Sequence, residues 1–249
     1  MSDPVAYDPN WWRAAKALSL ERREREAEAA AAALAGDSFL IVTEGVVTEV
    51  CYFQQLRAAL RLSAVKVVVE PGDASEARHV IETAARLARE QRERAARGQL
   101  AMDEPAGYDQ VWAVLDTDVS ERHQRWPDIS ALAAQRGVRL ASSTPCFEYW
   151  LLLHLKHTTA PLANGAAAKG RLGDDLGDYS TNADVSDAAI RRILPAWPIA
   201  VKRAGQVRQY HHAASSPAPA NPSTEVDRLA IALNYSAPVY ARKIHPSAN

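Results

Sequence analysis

The segment YDQVWAVLDTD, residues 108–118, decides how the rest of the chain reads. Its centre, VWAVL, is a short apolar run enriched in β-branched and aromatic residues, and it stops at an acidic pair. A run of that length, bounded by polar residues, predicts a strand buried on both faces. Working back, FLIVT (residues 39–43) reads as a buried strand and VKVVVE (65–70) as a β-branched one, and further along the chain VRLASS (138–143) reads as another strand. Between and after them lie stretches with helical spacing: Thr48 to Leu60 with Thr48 as its cap, Ser75 to Arg97 capped by Ser75, Ser120 to Arg136, and TPCFEYWLLLHLK (144–156). Strand followed by helix, four times over, predicts a mainly parallel four-stranded α/β sheet flanked by helices.

The flanks differ in character. Residues 1–36 are polar and contain a helical stretch from about Trp12 to Leu34 with alternating Arg and Glu, which predicts a charged N-terminal arm. Residues 37–157 form the α/β core. Residues 158–249 form a C-terminal extension: 158–185 read as a long loop with at most a short helix, and Asp187 to Leu194 as a helix stopped by Pro195 and Pro198. SSPAPANPS reads as a turn-rich linker, and Thr224 to Asn234 as a last amphipathic helix. Asn221 to Thr224, followed by Glu225 and Asp227, makes a good helix start without any appeal to chemistry.

Composition narrows the classes. With 249 residues, 47% hydrophobic and 24% charged, the chain suits a globular protein, and a net charge of −1 announces neither a membrane surface nor nucleic acid globally. Residues 186–249 nevertheless hold eight Lys or Arg against three Asp or Glu. Arg191, Arg192, Lys202 and Arg203 are therefore candidates for a phosphate-facing surface. Cys51 and Cys146, 95 positions apart, have no metal-ligand spacing and read as small core residues. No leader pattern and no 18-residue apolar stretch appears, so the expected compartment is the cytoplasm, with no membrane partner.

Ligands of parallel α/β sheets gather beyond the carboxyl ends of the strands, and acids cluster there in this sequence. Glu44 follows FLIVT directly, and Asp116 and Asp118 close VWAVL. Residues two apart on an extended chain point the same way, so the D-x-D presents two carboxylates together. Neighbouring carboxylates repel unless a cation lies between them, and magnesium takes such hard oxygen ligands. Helix capping would also explain an isolated D-x-D, but not a separate E-G turn at the end of another strand. Glu148, which begins a helix at a strand end, is a fourth catalytic candidate. Gly45, Glu49 and His154 are secondary ones: Gly45 for close approach of a phosphate, Glu49 in a first helical turn, and His154 on a helix face with Phe147 and Trp150.

The segments IVTEGVVTEVCYF (41–53), VWAVLDTD (111–118), STPCFEYWLLLHL (143–155) and NPSTEVDRL (221–229), in this order and spacing, resemble the RloB family. The resemblance implies a Toprim-like core with Glu44 as its glutamate and Asp116 and Asp118 as its metal ligands. It further implies magnesium, with manganese as an alternative, and a nuclease that cleaves RNA, tRNA included, or DNA. Such a protein would be an effector of abortive-infection defence against phage, acting with an ATPase partner, and an oligomer is compatible with this. The alternative from another class is a non-catalytic sensor or adaptor that binds nucleic acid or the partner. A small-molecule phosphotransferase is disfavoured because no P-loop or dinucleotide fingerprint is present.

Overall fold

A computed structural model describes residues 37–69, 77–101, 104–117, 125–177 and 179–244. The expected N-terminal arm, the cap at Ser75 and the start of the helix expected from Ser120 lie outside these residues. Four parallel strands form where the apolar runs occur: β1 (Phe39–Thr43), β2 (Val65–Val69), β3 (Gln110–Asp116) and β4 (Arg139–Thr144). The first three crossovers carry helices α1 (Thr48–Ala59), α2 (Ala77–Ala96) and α3 (Trp126–Arg136), and α4 (Glu148–Leu155) follows β4. Helix α2 shows why such a stretch folds as it does. Ala77, Val80, Ile81, Ala84 and Ala88 recur at helical spacing and are buried, while Arg86 and Glu90 pair on the solvent side at 2.9 Å.

The sheet has five strands, not four. Its order is β2-β1-β3-β4-β5, and β5 is the two-residue strand Ser223–Thr224, antiparallel to β4 with Ser143 opposite Thr224. The NPST segment thus contributes an edge strand before the last helix begins. Two residues are too few to show an alternating pattern, so nothing local signals it. Asn221 anchors the approach by bonding both backbone groups of Leu162, and Glu225 N–H donates to the Ser142 carbonyl at 2.8 Å.

The two faces of the sheet bury different layers. Leu40, Val42, Val111, Ala113 and Leu115 face α2 and α3. Phe39, Ile41, Trp112, Val114 and Ala141 face α1, α4 and the whole C-terminal stretch, which shares one continuous core with them. That stretch is more helical than its Gly, Ala and Asp content predicts: α5 (Gly165–Leu176), α6 (Ala183–Ile193), a 3-10 turn at Leu194–Ala196, α7 (Trp197–Ala213) and α8 (Val226–Ser236). Capping explains part of the difference. Asn164 accepts from Ala167 N–H at 2.9 Å to start α5, and Gly177 ends it at φ 88°. Asn182 starts α6 in the same way. Pro195 and Pro198 do not terminate the helical path; they sit in first turns, where the missing N–H costs nothing. The layer covers α4, whose residues Glu148–His154 are buried all round. No helix among the described residues is long and apolar enough to cross a membrane.

Candidate active site

The site grows from the register of the sheet. β1 and β3 are hydrogen-bonded neighbours with Thr43 opposite Val114, so the residues that leave both strands emerge side by side. Glu44 N–H donates to the Val114 carbonyl at 3.2 Å, and the Glu44 carboxylate lies 3.4 Å from the backbone N–H of Asp116. Two of the three predicted acids thus meet at adjacent strand ends, and Asp118 lies outside the described residues. Asp116 reaches across β4 to the entrance of α4, where its Oδ1 accepts from Phe147 N–H at 2.9 Å. It therefore serves the first turn of α4.

Two more carboxylates join from helix starts. Glu49, in the first turn of α1, folds back over the turn between β1 and α1. A Cβ on Gly45 would fall on the Glu49 carboxylate, so only glycine leaves that space open. The turn is held by Thr43 Oγ1 donating to the Gly45 carbonyl at 2.9 Å. Burial, together with the nearby charges of Glu148 and Glu44, pushes the Glu49 carboxyl up to about 7. Glu148, the first residue of α4, is also buried.

The helical layer supplies two groups that sequence reasoning did not single out. Tyr179, between α5 and α6, donates its hydroxyl to Glu148 Oε1 at 3.0 Å and lies 3.0 Å from Thr48 Oγ1. Thr48 was expected to cap α1. Its hydroxyl is instead shared with Tyr179 and Ser186, and α1 has no side-chain cap. Lys169, on α5, places Nζ 4.0 Å from Glu148 Oε1. No local pattern marks either residue, because each acquires its meaning only from a helix 20 or more positions away.

The other candidates lie elsewhere. His154 sits in the aromatic core, with Nε2 3.2 Å from Tyr52 Oη and Nδ1 3.0 Å from the Trp150 carbonyl. Burial lowers it to about 4, so it is neutral at pH 7. Arg192 and Arg203 donate to the carbonyls of Leu176 and Leu153, at the C-terminal ends of α5 and α4, where a cation is favoured. Arg191 pairs with Asp187 at 2.6 Å, and Lys202 is exposed on α7.

Among the described residues no three His, Cys, Asp or Glu side chains form a ready-made metal cluster. The chemistry of the donors nonetheless suits a hard divalent cation. Lys169 lies by Glu148 and Glu49, and Glu49 is pushed towards holding its proton chiefly by burial, with the charges of Glu148 and Glu44 adding to it. Glu44 and Asp116 are the described residues placed to hold such an ion.

Glu49 makes a testable electrostatic statement. Its folded-state carboxyl, about 7, lies above its ordinary 4.5, so ionising it opposes folding. The cost is absent below about pH 4.5, grows as pH rises through that window, and is complete above about 7. Without divalent cations, Glu49→Gln should stabilise the protein at pH 8 by on the order of 2 kcal/mol and leave it unchanged at pH 4.5. Urea unfolding at the two pH values measures this, and an equal effect at both would refute the assignment.

A mainly parallel sheet covered by helices on both faces, with acids at its carboxyl edge, places the chain among open-sheet α/β proteins, whose ligands bind beyond the strand ends. A model of the RloB-like protein family matches residues 39–233, which spans the sheet, the site and the helical layer. The chain belongs to the RloB-like family. No curated protein and no solved structure matches it.

Proposed function

We propose that the protein is a magnesium-dependent nuclease of Toprim type that cleaves the phosphodiester of RNA, tRNA included, or of DNA. In this reading it acts in the cytoplasm as an effector of anti-phage defence with an ATPase partner. The observation that carries the proposal is the approach of Glu44 to Asp116 at adjacent parallel strand ends, with Glu49 and Glu148 close behind.

Glu44 and Asp116, with Asp118, would hold the metal. A bound magnesium polarises a phosphoryl oxygen and offsets charge on the leaving oxygen. The remaining work falls to the chain itself. Glu49, poised near neutrality, is the group suited to take or give a proton at physiological pH. Glu148 is oriented by the Tyr179 hydroxyl, and that hydroxyl is fixed by Thr48. The buried wall of α4 keeps water from the back of the site.

The test is cleavage of labelled tRNA, mRNA, single-stranded DNA and duplex DNA by purified protein, with magnesium, manganese or EDTA, and with the partner ATPase present or absent. Metal-dependent cleavage that EDTA stops supports the reading. Binding of these nucleic acids without cleavage in any combination would reject it in favour of a sensor or adaptor.

A further inference from the structure

Lys169 is a cation whose position structural duty does not explain. Helix α5 is firmly placed: Asn164 caps it, Ala168, Leu172 and Leu176 are buried, and Cys146 Sγ lies 3.8 Å from the Gly165 carbonyl at the junction of β4 and α4. This geometry carries Lys169 to the carboxylates, with its side chain 48% exposed and Nζ 4.0 Å from Glu148 Oε1. At that distance the pair makes no hydrogen bond, and a half-exposed ion pair contributes little to stability. Glu148 Oε1 already has a donor, the Tyr179 hydroxyl at 3.0 Å. The ammonium's N–H donors are therefore not spent on Glu148, and the carboxylate does not depend on them.

The balance of charge suggests what those donors meet. A phosphodiester carries one negative charge and must approach Glu44, Glu49, Asp116 and Glu148. A single divalent cation offsets only part of that repulsion. A lysine on a long, half-exposed stem at the same site is a mobile point charge suited to a phosphate oxygen. Arg192 and Arg203, by contrast, already spend guanidinium N–H groups on carbonyls of the chain.

We infer that Lys169 binds the substrate phosphate at the carboxylate site and releases Glu148 to the Tyr179 hydroxyl as it does so. This inference rests on the nuclease reading for its substrate class. It is tested with Lys169→Met, which keeps the stem, and Lys169→Arg, which keeps the charge. Affinity for labelled single-stranded RNA and DNA is measured with calcium in place of magnesium, over a series of salt concentrations, beside the thermal midpoint and cleavage.

Lys169→Met should weaken binding about tenfold and make the salt dependence shallower by roughly 0.7, the share of one phosphate contact on a single strand. Lys169→Arg should restore both. The thermal midpoint of either variant should match the wild type, so that a loss of binding is not a loss of fold; a purely structural ion pair would leave affinity and salt slope unchanged as well. Unchanged affinity and salt slope in Lys169→Met overturn the inference even if the wild type cuts. A wild type that binds but never cuts, with the slope still altered by Lys169→Met, sinks the nuclease reading and keeps the phosphate contact. A wild type that neither binds nor cuts overturns both.

Discussion

Asp116→Asn is expected to lower metal-dependent cleavage by at least about 100-fold, a loss of about 2.7 kcal/mol of transition-state stabilisation, without unfolding the protein. The substitution is chosen for what it keeps. Asp116 Oδ1 accepts from Phe147 N–H, and an asparagine carbonyl accepts the same bond, so the entrance of α4 is preserved. What is lost is the negative charge beside Glu44. A neutral amide is a poor ligand for a hard divalent cation, and the remaining acids do not replace it at that position. Asp116→Ala is less informative, because it also orphans the Phe147 N–H in a half-buried setting. Rates with magnesium, paired with thermal melts, separate the two effects. Wild-type rates in Asp116→Asn would remove Asp116 from the metal site and leave it as a helix-capping residue.

The largest expected effect on stability lies on the far side of the helical layer. Asp227, on α8, is fully buried and receives both guanidinium arms of Arg208 from α7, at 2.7 and 2.6 Å. The same Arg208 donates to the Thr224 carbonyl in β5 at 3.1 Å, so one bidentate pair ties α7, α8 and the edge strand together. Removing one partner of such a pair costs about 3–5 kcal/mol, because it leaves a desolvated charge alone. Arg208 keeps 33% exposure and can recruit water, which places Asp227→Ala near about 3 kcal/mol. Urea unfolding at pH 7 measures the loss. A change under about 1 kcal/mol would show that the pair is relaxed by solvent and does not secure the edge strand.

Much of the core was legible because its signals are local. Short apolar runs placed β1 and β3, VRLASS placed β4 despite its polar residues, and helical spacing placed α2. Glu44 and Asp116 could be located because Glu44 directly follows β1, Asp116 closes β3, and parallel neighbours end at the same edge. The charged residues of the C-terminal stretch were legible as composition but not as roles. Arg192 and Arg203 look like free cations in the sequence and turn out to close the ends of α5 and α4. Likewise Asp227 reads as a first-turn acid, and the fold makes it the buried partner of Arg208. Low helix propensity hid α5: its glycines argue against a helix, and burial of Ala168, Leu172 and Leu176 against the core overrides them.

By itself, the sequence determined a parallel α/β sheet with acids at the carboxyl edge and membership of a family. The sheet and the acids at its edge arise from short apolar runs and period-3.6 patterns, which need only a few neighbouring residues, whereas the family shows in the combination of four segments spread between residues 41 and 229. The tertiary structure alone decided the fifth strand, the helical layer over α4, and the arrival of Tyr179 and Lys169 at Glu148. Each of these joins segments between 21 and 81 positions apart. Such a contact forms because burying a shared core outweighs the entropy of closing the intervening chain, and no single segment encodes that balance.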